Sequence, residues 1–202
     1  NLDIDEIDKE VRFDIIILSH SIMYIKTLHK MIKALTDKLS DNGRIIINTP
    51  NYEKNPYYYL MSDNFHFINT INIKNIFSVF SLSVTKIRKK FLHNENMYVV
   101  KKTNKKFKIN KIKNDYYKNL FEKILVVKNK INKIKLNNIV IKGTTIKSAF
   151  IDYFLKNKVL FFIDDDKNKI GQNFRSKKIL NISKKEIIKK NMYLIDTTKN
   201  FI

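Results

Sequence analysis

The stretch that decides the fold is FDIIILSHSIMY, residues 13–24. Its start, residues 13–18, is short, almost wholly apolar and rich in β-branched isoleucine, which is typical of a strand buried on both faces of a parallel sheet. An amphipathic helix is predicted next, because apolar residues recur at spacings of three and four: Ile25, Leu28, Ile32, Leu35 and Leu39. The turn residues SDNG (40–43) then lead into a second apolar run, RIIIN (44–48). A strand, a helix and a strand within about 35 residues predict a right-handed βαβ crossover.

The residues that follow extend this first sheet. Residues 51–61 are aromatic and polar, and they predict a surface loop. A short helix is expected at 72–80. Two further stretches, 82–88 and 97–101, predict a closing antiparallel hairpin whose turn lies at 93–96.

The second half of the chain predicts another α/β unit. Residues 101–111 are basic and poor in apolar side chains, and are the best candidate for a linker. A long amphipathic helix is expected at 112–136. The elements predicted after it are strands at 138–142, 159–163 and 192–195, with helices at 146–154 and 183–188. We therefore expect three parts: residues 1–101, the linker and long helix at 102–136, and a carboxyl-terminal α/β domain at 137–202.

The net charge of +21, from 40 basic and 19 acidic residues, raises the question of a nucleic-acid partner. Of the basic residues 36 are lysine and only four are arginine, whereas dedicated nucleic-acid readers depend on the planar arginine fork. Lysine, isoleucine and asparagine together make 94 of the 202 residues, and all three have A/T-rich codons. Compositional drift therefore explains the charge better than nucleic-acid binding does.

Several classes of protein are excluded by composition. The chain has no cysteine, so disulfides, thiolate metal sites and a cysteine nucleophile are impossible. No apolar run reaches the roughly 18 residues that a membrane span needs, and no signal peptide opens the sequence. We expect a cytoplasmic protein without a membrane span.

Candidate functional residues lie where the predicted parallel strands end, because ligands bind beyond the carboxyl ends of such strands. Ser19 and His20 follow the first strand, and Asn51 and Tyr52 follow the second. His20 could act as a general base, since an imidazole titrates near neutral pH. The alternative is that His20 only caps the helix that follows. Tyr24 and His66 are further candidates for the base.

Phosphate and metal sites have less support from the sequence. The three glycines, Gly43, Gly143 and Gly171, cannot build a Gly-rich nucleotide loop. Gly143 and Thr144 form a reduced version that could approach a phosphate, although a single glycine more often marks a tight turn. Asp164 follows the next strand and could contact a ribose or sugar hydroxyl. The four histidines lack ligand spacing, so we expect no metal site.

Several of these motifs together resemble a known family. Residues 13–24 and LSDNGRIIINTPN (39–51) resemble the later motifs of class I S-adenosylmethionine-dependent methyltransferases. SDNFHF (62–67) is similar to a segment of the sugar C-methyltransferase branch, and IVIKGTT (139–145) with FIDDDKNKIGQ (162–172) resembles the carboxyl-terminal domain of that branch. The resemblance covers nearly the whole chain in the right order.

The resemblance implies a partial Rossmann-like methyltransferase sheet followed by a second, small Rossmann-like α/β domain. It places residue 1 just before the fourth strand of the methyltransferase sheet, so we expect the amino-terminal half, with its Gly-rich cofactor loop, to be missing or to come from another chain. Asp3 and Ser19 are assigned to S-adenosylmethionine on this basis. The family has a Glu-His pair after the fourth strand where this chain has Met23 and Tyr24.

The leading functional hypothesis is methyl transfer from S-adenosylmethionine to a nucleotide-linked sugar or a related glycan precursor. His20, Tyr24 or His66 would remove a proton from the acceptor. Asn51 and Tyr52, together with Gly143, Thr144 and Asp164, would contact the substrate. The alternative is a non-catalytic, degenerate or split methyltransferase that serves as a binding module, and a nucleic-acid-binding protein is the third possibility. We expect this chain alone to bind the cofactor poorly.

Overall fold

The computed structural model describes residues 7–87, 94–105, 107, 109–111, 115–183, 186–187 and 190–198. The chain divides into two compact units, Asn1–Tyr117 and Lys118–Ile202. Each unit contains one sheet and its helices, of four and five strands respectively. The predicted α/β fold class is therefore confirmed.

The first unit is built on a mixed sheet with strand order β1-β2-β4-β3. β1 and β2 are parallel, and β4 runs antiparallel to both β2 and β3. The elements in chain order are β1 (Phe13–Ser19), a 3₁₀ turn (Ile22–Tyr24), α1 (Leu28–Lys38), β2 (Leu39–Pro50), a second 3₁₀ turn (Pro56–Leu60), α2 (Thr70–Ser78), β3 (Leu82–Ile87) and β4 (Glu95–Lys102). The structure contains the predicted βαβ crossover and the antiparallel hairpin. The predicted turn at 93–96 is wrong for Glu95 and Asn96, which begin β4, and His93 lies outside the described residues.

A single core joins both helices to one face of this sheet. It contains Leu28, Ile32 and Leu35 of α1, Ile73 and Phe77 of α2, and Ile45, Ile47, Tyr98 and Val100 of the strands. Each fully buried aliphatic side chain of this kind stabilises the fold by about 1.5–3 kcal/mol. The helical stripe predicted from Ile25 to Leu39 supplies most of the α1 contribution.

On the opposite face of the sheet, apolar side chains of β1 are exposed to solvent. Ile15 and Ile17 are 60% and 65% exposed, whereas Ile16 and Leu18 pack against the core. The prediction that this strand is buried on both faces is therefore wrong. The physical reason is that β1 is the edge strand of the sheet and both helices cover the same face.

The start of β2 contains an irregularity that the sequence predicted as a turn. Leu39 pairs with Phe13 but the next regular pair is Arg44 with Ile15, so the intervening residues 40–43 are accommodated by a shift of register. Gly43 fits there because an added Cβ would lie 2.9 Å from the carbonyl oxygen of Phe13. The turn residues are thus an interruption inside a strand that runs from Leu39 to Pro50.

The second unit has a five-stranded sheet with order β7-β8-β6-β5-β9. Its strands and helices are α3 (Asp115–Asn132, which contains the boundary between the units), β5 (Ile139–Lys142), α4 (Ile146–Leu155), β6 (Val159–Ile163), β7 (Asn173–Phe174), β8 (Lys177–Leu180) and β9 (Tyr193–Asp196). β5 pairs in parallel with β6 and β9, and β6 pairs in parallel with β8. The order β8-β6-β5-β9 corresponds to the 3-2-1-4 part of the Rossmann strand order, in which the order reverses at β5.

The hairpin formed by β7 and β8 is absent from the sequence predictions. Its turn places Arg175 and Ser176 at positive φ (50° and 64°) without the glycine or asparagine that usually marks such a turn. The hairpin is held to α4 by Asp152, a 4% exposed carboxylate that accepts hydrogen bonds from Arg175 Nε at 2.8 Å and Lys177 Nζ at 2.6 Å. These contacts are long-range, and a local sequence pattern does not contain them.

Candidate functional site

The first unit places a histidine and a glutamate together at the carboxyl end of β1. The main chain turns sharply after β1, where His20 adopts a positive φ of 49° and its N–H donates to the carbonyl of Asn48 at 3.0 Å. His20 Nε2 then lies 3.1 Å from Oε1 of Glu95, the first residue of β4. The two side chains are 42% and 37% exposed, so the pair is fixed but open to a ligand.

The hydrogen bond to Glu95 fixes the orientation of the His20 ring. A carboxylate accepts a hydrogen bond, so Glu95 favours the tautomer in which Nε2 carries the proton and leaves Nδ1 as the acceptor. The left-handed conformation of a non-glycine residue costs of the order of 1–3 kcal/mol, and strain of this kind is concentrated at functional sites. Glu95 was missed from the sequence because residues 93–96 have the composition of a turn.

The other two candidate bases lie on the neighbouring 3₁₀ turn and on the segment that packs against it. His66 Nε2 is 2.9 Å from the carbonyl oxygen of Ile25, which can only accept a hydrogen bond. The N–H groups of Phe65 and His66 both donate to the carbonyl of Met23. His66 therefore anchors its own segment through Nε2, while Tyr24 is 44% exposed.

The segment after β2 is packed inward, which corrects the predicted surface loop at 51–61. Asn51 is 7% exposed and its N–H donates to the carbonyl of Asn94 at 2.8 Å. Tyr52 is 1% exposed, and its ring contacts those of Tyr59 and Phe67 with centroids 4.9 and 5.7 Å apart. Burial, assisted by the neighbouring hydroxyl of Tyr59, raises the pKa of Tyr52 far above its ordinary value. The Tyr52 hydroxyl is therefore neutral and can serve as a hydrogen-bond donor.

Buried polar atoms that have no hydrogen-bond partner among the described residues lie in the same region. They include Thr49 Oγ1, Tyr52 OH and Asn96 Oδ1, on residues that are 0%, 1% and 4% exposed. Thr49 and Asn96 are directly opposite each other in the β2–β4 ladder. Unsatisfied buried groups are rare in native proteins, so each of these three atoms calls for a partner such as a water molecule or a ligand.

In the second unit, Gly143, Thr144 and Asp164 form one turn at the carboxyl ends of β5 and β6. Gly143 has a φ of +92°, and an added Cβ would lie 2.9 Å from Thr197 Oγ1. The N–H and hydroxyl of Thr144 both donate to Asp164 Oδ2, at 3.0 and 2.5 Å. Burial raises the pKa of Asp164, but the hydrogen bonds from Thr144 and from the N–H of Asp166 outweigh it and hold the pKa below its ordinary value.

The predicted site residues are thus distributed over both units. The first unit brings Ser19, His20, Tyr24, Asn51, Tyr52 and His66 to the segments at and beyond the carboxyl ends of β1 and β2. Asp3 lies outside the described residues. Within the described residues, no group of three or more metal-ligating side chains is present, and no helix is long and apolar enough to cross a membrane.

Known proteins similar to this chain are found among solved structures. No protein-family model and no curated protein match the chain. Among solved structures, the chain is similar to an S-adenosylmethionine-dependent methyltransferase from Clostridium acetobutylicum ATCC 824, with 16% identity and a TM-score of 0.38 over 51% of this chain and 63% of that one. It is also similar to the T. thermophilus 16S rRNA methyltransferase RsmC, in complex with AdoMet and guanosine, with 8% identity and a TM-score of 0.27 over 77% and 44%. The chain spans less than two thirds of the length of either protein.

Proposed function

We propose that this chain carries the acceptor-side residues of an S-adenosylmethionine-dependent methyltransferase that acts on a nucleotide-linked sugar. The observation that carries the proposal is the His20–Glu95 pair, 3.1 Å apart at the carboxyl ends of β1 and β2. His20 lies in the stretch 13–24 that resembles the methyltransferase motifs, whereas Glu95 lies outside the quoted motifs. A parallel crossover followed by an antiparallel hairpin also agrees with that resemblance.

His20 is the proposed general base. With its Nε2 proton donated to Glu95, the imidazole presents Nδ1 as the atom that accepts a proton from the acceptor hydroxyl or carbon. The carboxylate of Glu95 then stabilises the imidazolium that forms. A base held in this way contributes a rate factor of about 10²–10⁴.

The described residues supply part of a binding site for S-adenosylmethionine. S-adenosylmethionine, when bound, supplies an electrophilic methyl group. Ser19 offers an exposed hydroxyl at the end of β1, but the turn that follows contains no glycine, and Gly43 lies near the other end of β2. Ser19 would therefore contribute to one edge of the cofactor site.

Each of the two units contains residues that we propose as substrate contacts. Asn51 and Tyr52 lie beside the 3₁₀ turn that carries Tyr24, whose hydroxyl affects the pKa of Tyr52. In the second unit, the roles of Gly143, Thr144 and Asp164 stay a prediction, since both Thr144 donors are directed at Asp164. A net charge of +21 favours the approach of a diphosphate-bearing substrate.

The second candidate function is a binding module without catalysis, which the incomplete cofactor edge favours. The two candidates are distinguished by His20→Gln and Glu95→Gln, with His29→Gln on the exposed face of α1 as the matched control. Transfer of labelled methyl groups to a panel of nucleotide-linked sugars is measured together with calorimetric binding of the same sugars.

We expect the rate of transfer to fall by about 10²–10⁴ in His20→Gln and by a smaller factor in Glu95→Gln, with His29→Gln unchanged. Binding of the sugars without transfer by any of the four proteins favours the binding module. Equal rates for His20→Gln and His29→Gln would show that His20 is not the base.

A further inference from the structure

A second site is indicated by a cavity in the carboxyl-terminal unit. The cavity has a volume of about 590 Å³ and lies at the carboxyl ends of the parallel strands. Volumes of about 300–1,000 Å³ are usual for sites that bind small molecules. Its walls combine four aliphatic side chains, Ile163, Leu180, Ile182 and Leu194, with polar groups at the strand ends.

The position of the cavity follows from the topology. β5 has β6 on one side and β9 on the other, so the strand order reverses at β5. Ligands of open parallel sheets bind outside the carboxyl ends of the strands at such a reversal. Lys142 at the end of β5, Asp165 just beyond β6 and Asp196 at the end of β9 all line the cavity.

The charges of the lining select against an anionic ligand. Lys142 Nζ is 2.8 Å from Asp165 Oδ2, so its charge is already balanced inside the cavity. Asp164 and Asp196 add two further carboxylates to the lining. Asp164 Oδ2 is 3.4 Å from Lys169 Nζ, and Asp196 Oδ1 accepts hydrogen bonds from the N–H and the hydroxyl of Thr198. Among the lining residues themselves three carboxylates face the one ammonium group of Lys142, which disfavours a phosphate, whereas a hydroxyl group can donate to a carboxylate without repulsion.

We propose that this cavity binds a nucleoside. The flat heterocycle would lie against the aliphatic side chains, and the ribose hydroxyls would donate to the carboxylates of Asp165 and Asp196. An acidic residue after the second strand of a Rossmann half is the group that binds ribose hydroxyls in dinucleotide-binding sheets, and Asp165 is one residue beyond that position. The proposal uses no residue of the first unit, and Asp164 is the one residue of the lining that is also among the substrate contacts proposed for methyl transfer.

The test is calorimetric titration of the full chain with adenosine, uridine and adenosine 5′-monophosphate, using wild type and Asp165→Asn. Asp41→Asn is the matched control, since Asp41 is 97% exposed and pairs with Lys102 at 3.1 Å, much as the 84% exposed Asp165 pairs with Lys142. We expect saturable binding of at least one nucleoside, weakened about 10-fold or more by Asp165→Asn and unchanged in Asp41→Asn. Adenosine 5′-monophosphate is expected to bind more weakly than adenosine.

Three results would overturn the proposal. The first is no saturable binding of either nucleoside, and the second is equal affinity in the two aspartate variants. The third is tighter binding of the monophosphate than of adenosine, which would identify Lys142 rather than the carboxylates as the group that selects the ligand. Circular dichroism of each variant establishes that the exposed substitutions leave the fold intact, and His20→Gln must bind the nucleoside as wild type does.

Discussion

Replacing Thr49 with valine should stabilise the first unit, because Thr49 Oγ1 is buried and has no hydrogen-bond partner within the described residues. The side chain is fully buried, at 0% exposure, so its hydroxyl loses water on folding without gaining a protein partner. An unsatisfied buried polar group costs about 1–3 kcal/mol. Valine has nearly the same shape and adds a methyl group to the core, so Thr49→Val should raise the free energy of unfolding by about 1–3 kcal/mol.

The comparison is with Thr70→Val in the same unit. Thr70 Oγ1 lies 3.2 Å from the hydroxyl of the buried Tyr98, and Lys86 Nζ donates to it at 3.3 Å. Removing this hydroxyl leaves Tyr98 unsatisfied, so Thr70→Val should lower the free energy of unfolding by about 1–3 kcal/mol. Urea unfolding followed by circular dichroism measures both values, and the slope with urea should be the same for the variants and the wild type.

The sign of the change in the free energy of unfolding of Thr49→Val shows whether the buried hydroxyl is unsatisfied. If Thr49→Val destabilises the protein as Thr70→Val does, then Thr49 Oγ1 is hydrogen-bonded in solution and the reasoning is refuted. If the expected gain is found and a substrate of the first unit binds more weakly to Thr49→Val, then the unsatisfied group is kept for binding at the expense of stability.

Three further predictions follow from other contacts. Asp152→Asn should weaken the attachment of the β7–β8 hairpin to α4 by about 1.5–3 kcal/mol, because Asp152 accepts hydrogen bonds from Arg175 and Lys177. The measurement is amide hydrogen exchange in β8, which should become faster in Asp152→Asn and stay unchanged in the control Asp41→Asn. The pKa of Asp164 is held below its ordinary value of 3.8 in the folded protein. The ionised carboxylate therefore contributes fully to stability above pH 3.8, and this contribution is lost as the pH falls through the lower, folded-state pKa. Acid unfolding of Asp164→Asn should lack this loss of stability. The chain alone should bind S-adenosylmethionine weakly in calorimetry, so the methyl-transfer assay requires a high concentration of the cofactor; micromolar affinity would contradict the partial fit to the cofactor.

The sequence predicted well what depends on local periodicity. The stripe of α1 and the buried positions of α3, from Leu120 to Ile131, are set by spacing along one helix. The parallel strands β5 and β6 follow from short apolar runs with turn residues after them. His20 was predicted as a site residue because it directly follows a strand.

What the sequence did not predict depends on neighbours that are distant along the chain. Glu95 lies 75 positions from His20, and their contact exists only because β4 is inserted next to β2. The exposure of Ile15 and Ile17 depends on which strand occupies the edge of the sheet. The β7–β8 hairpin depends on a carboxylate of α4. Spacing along one element carries no information about any of these.

The outward row of isoleucines on β1 has a consequence for the behaviour of the chain in solution. Among the described residues no strand pairs with the outer edge of β1, and such an edge with exposed apolar side chains is a template on which further strands can add. The charge of +21 opposes such contacts between copies, because every molecule repels every other. This protection is electrostatic, and the Debye length falls to about 8 Å at physiological ionic strength. Concentrated salt should therefore promote self-association of this chain. The variant Ile17→Lys should remain monomeric at the same salt concentration.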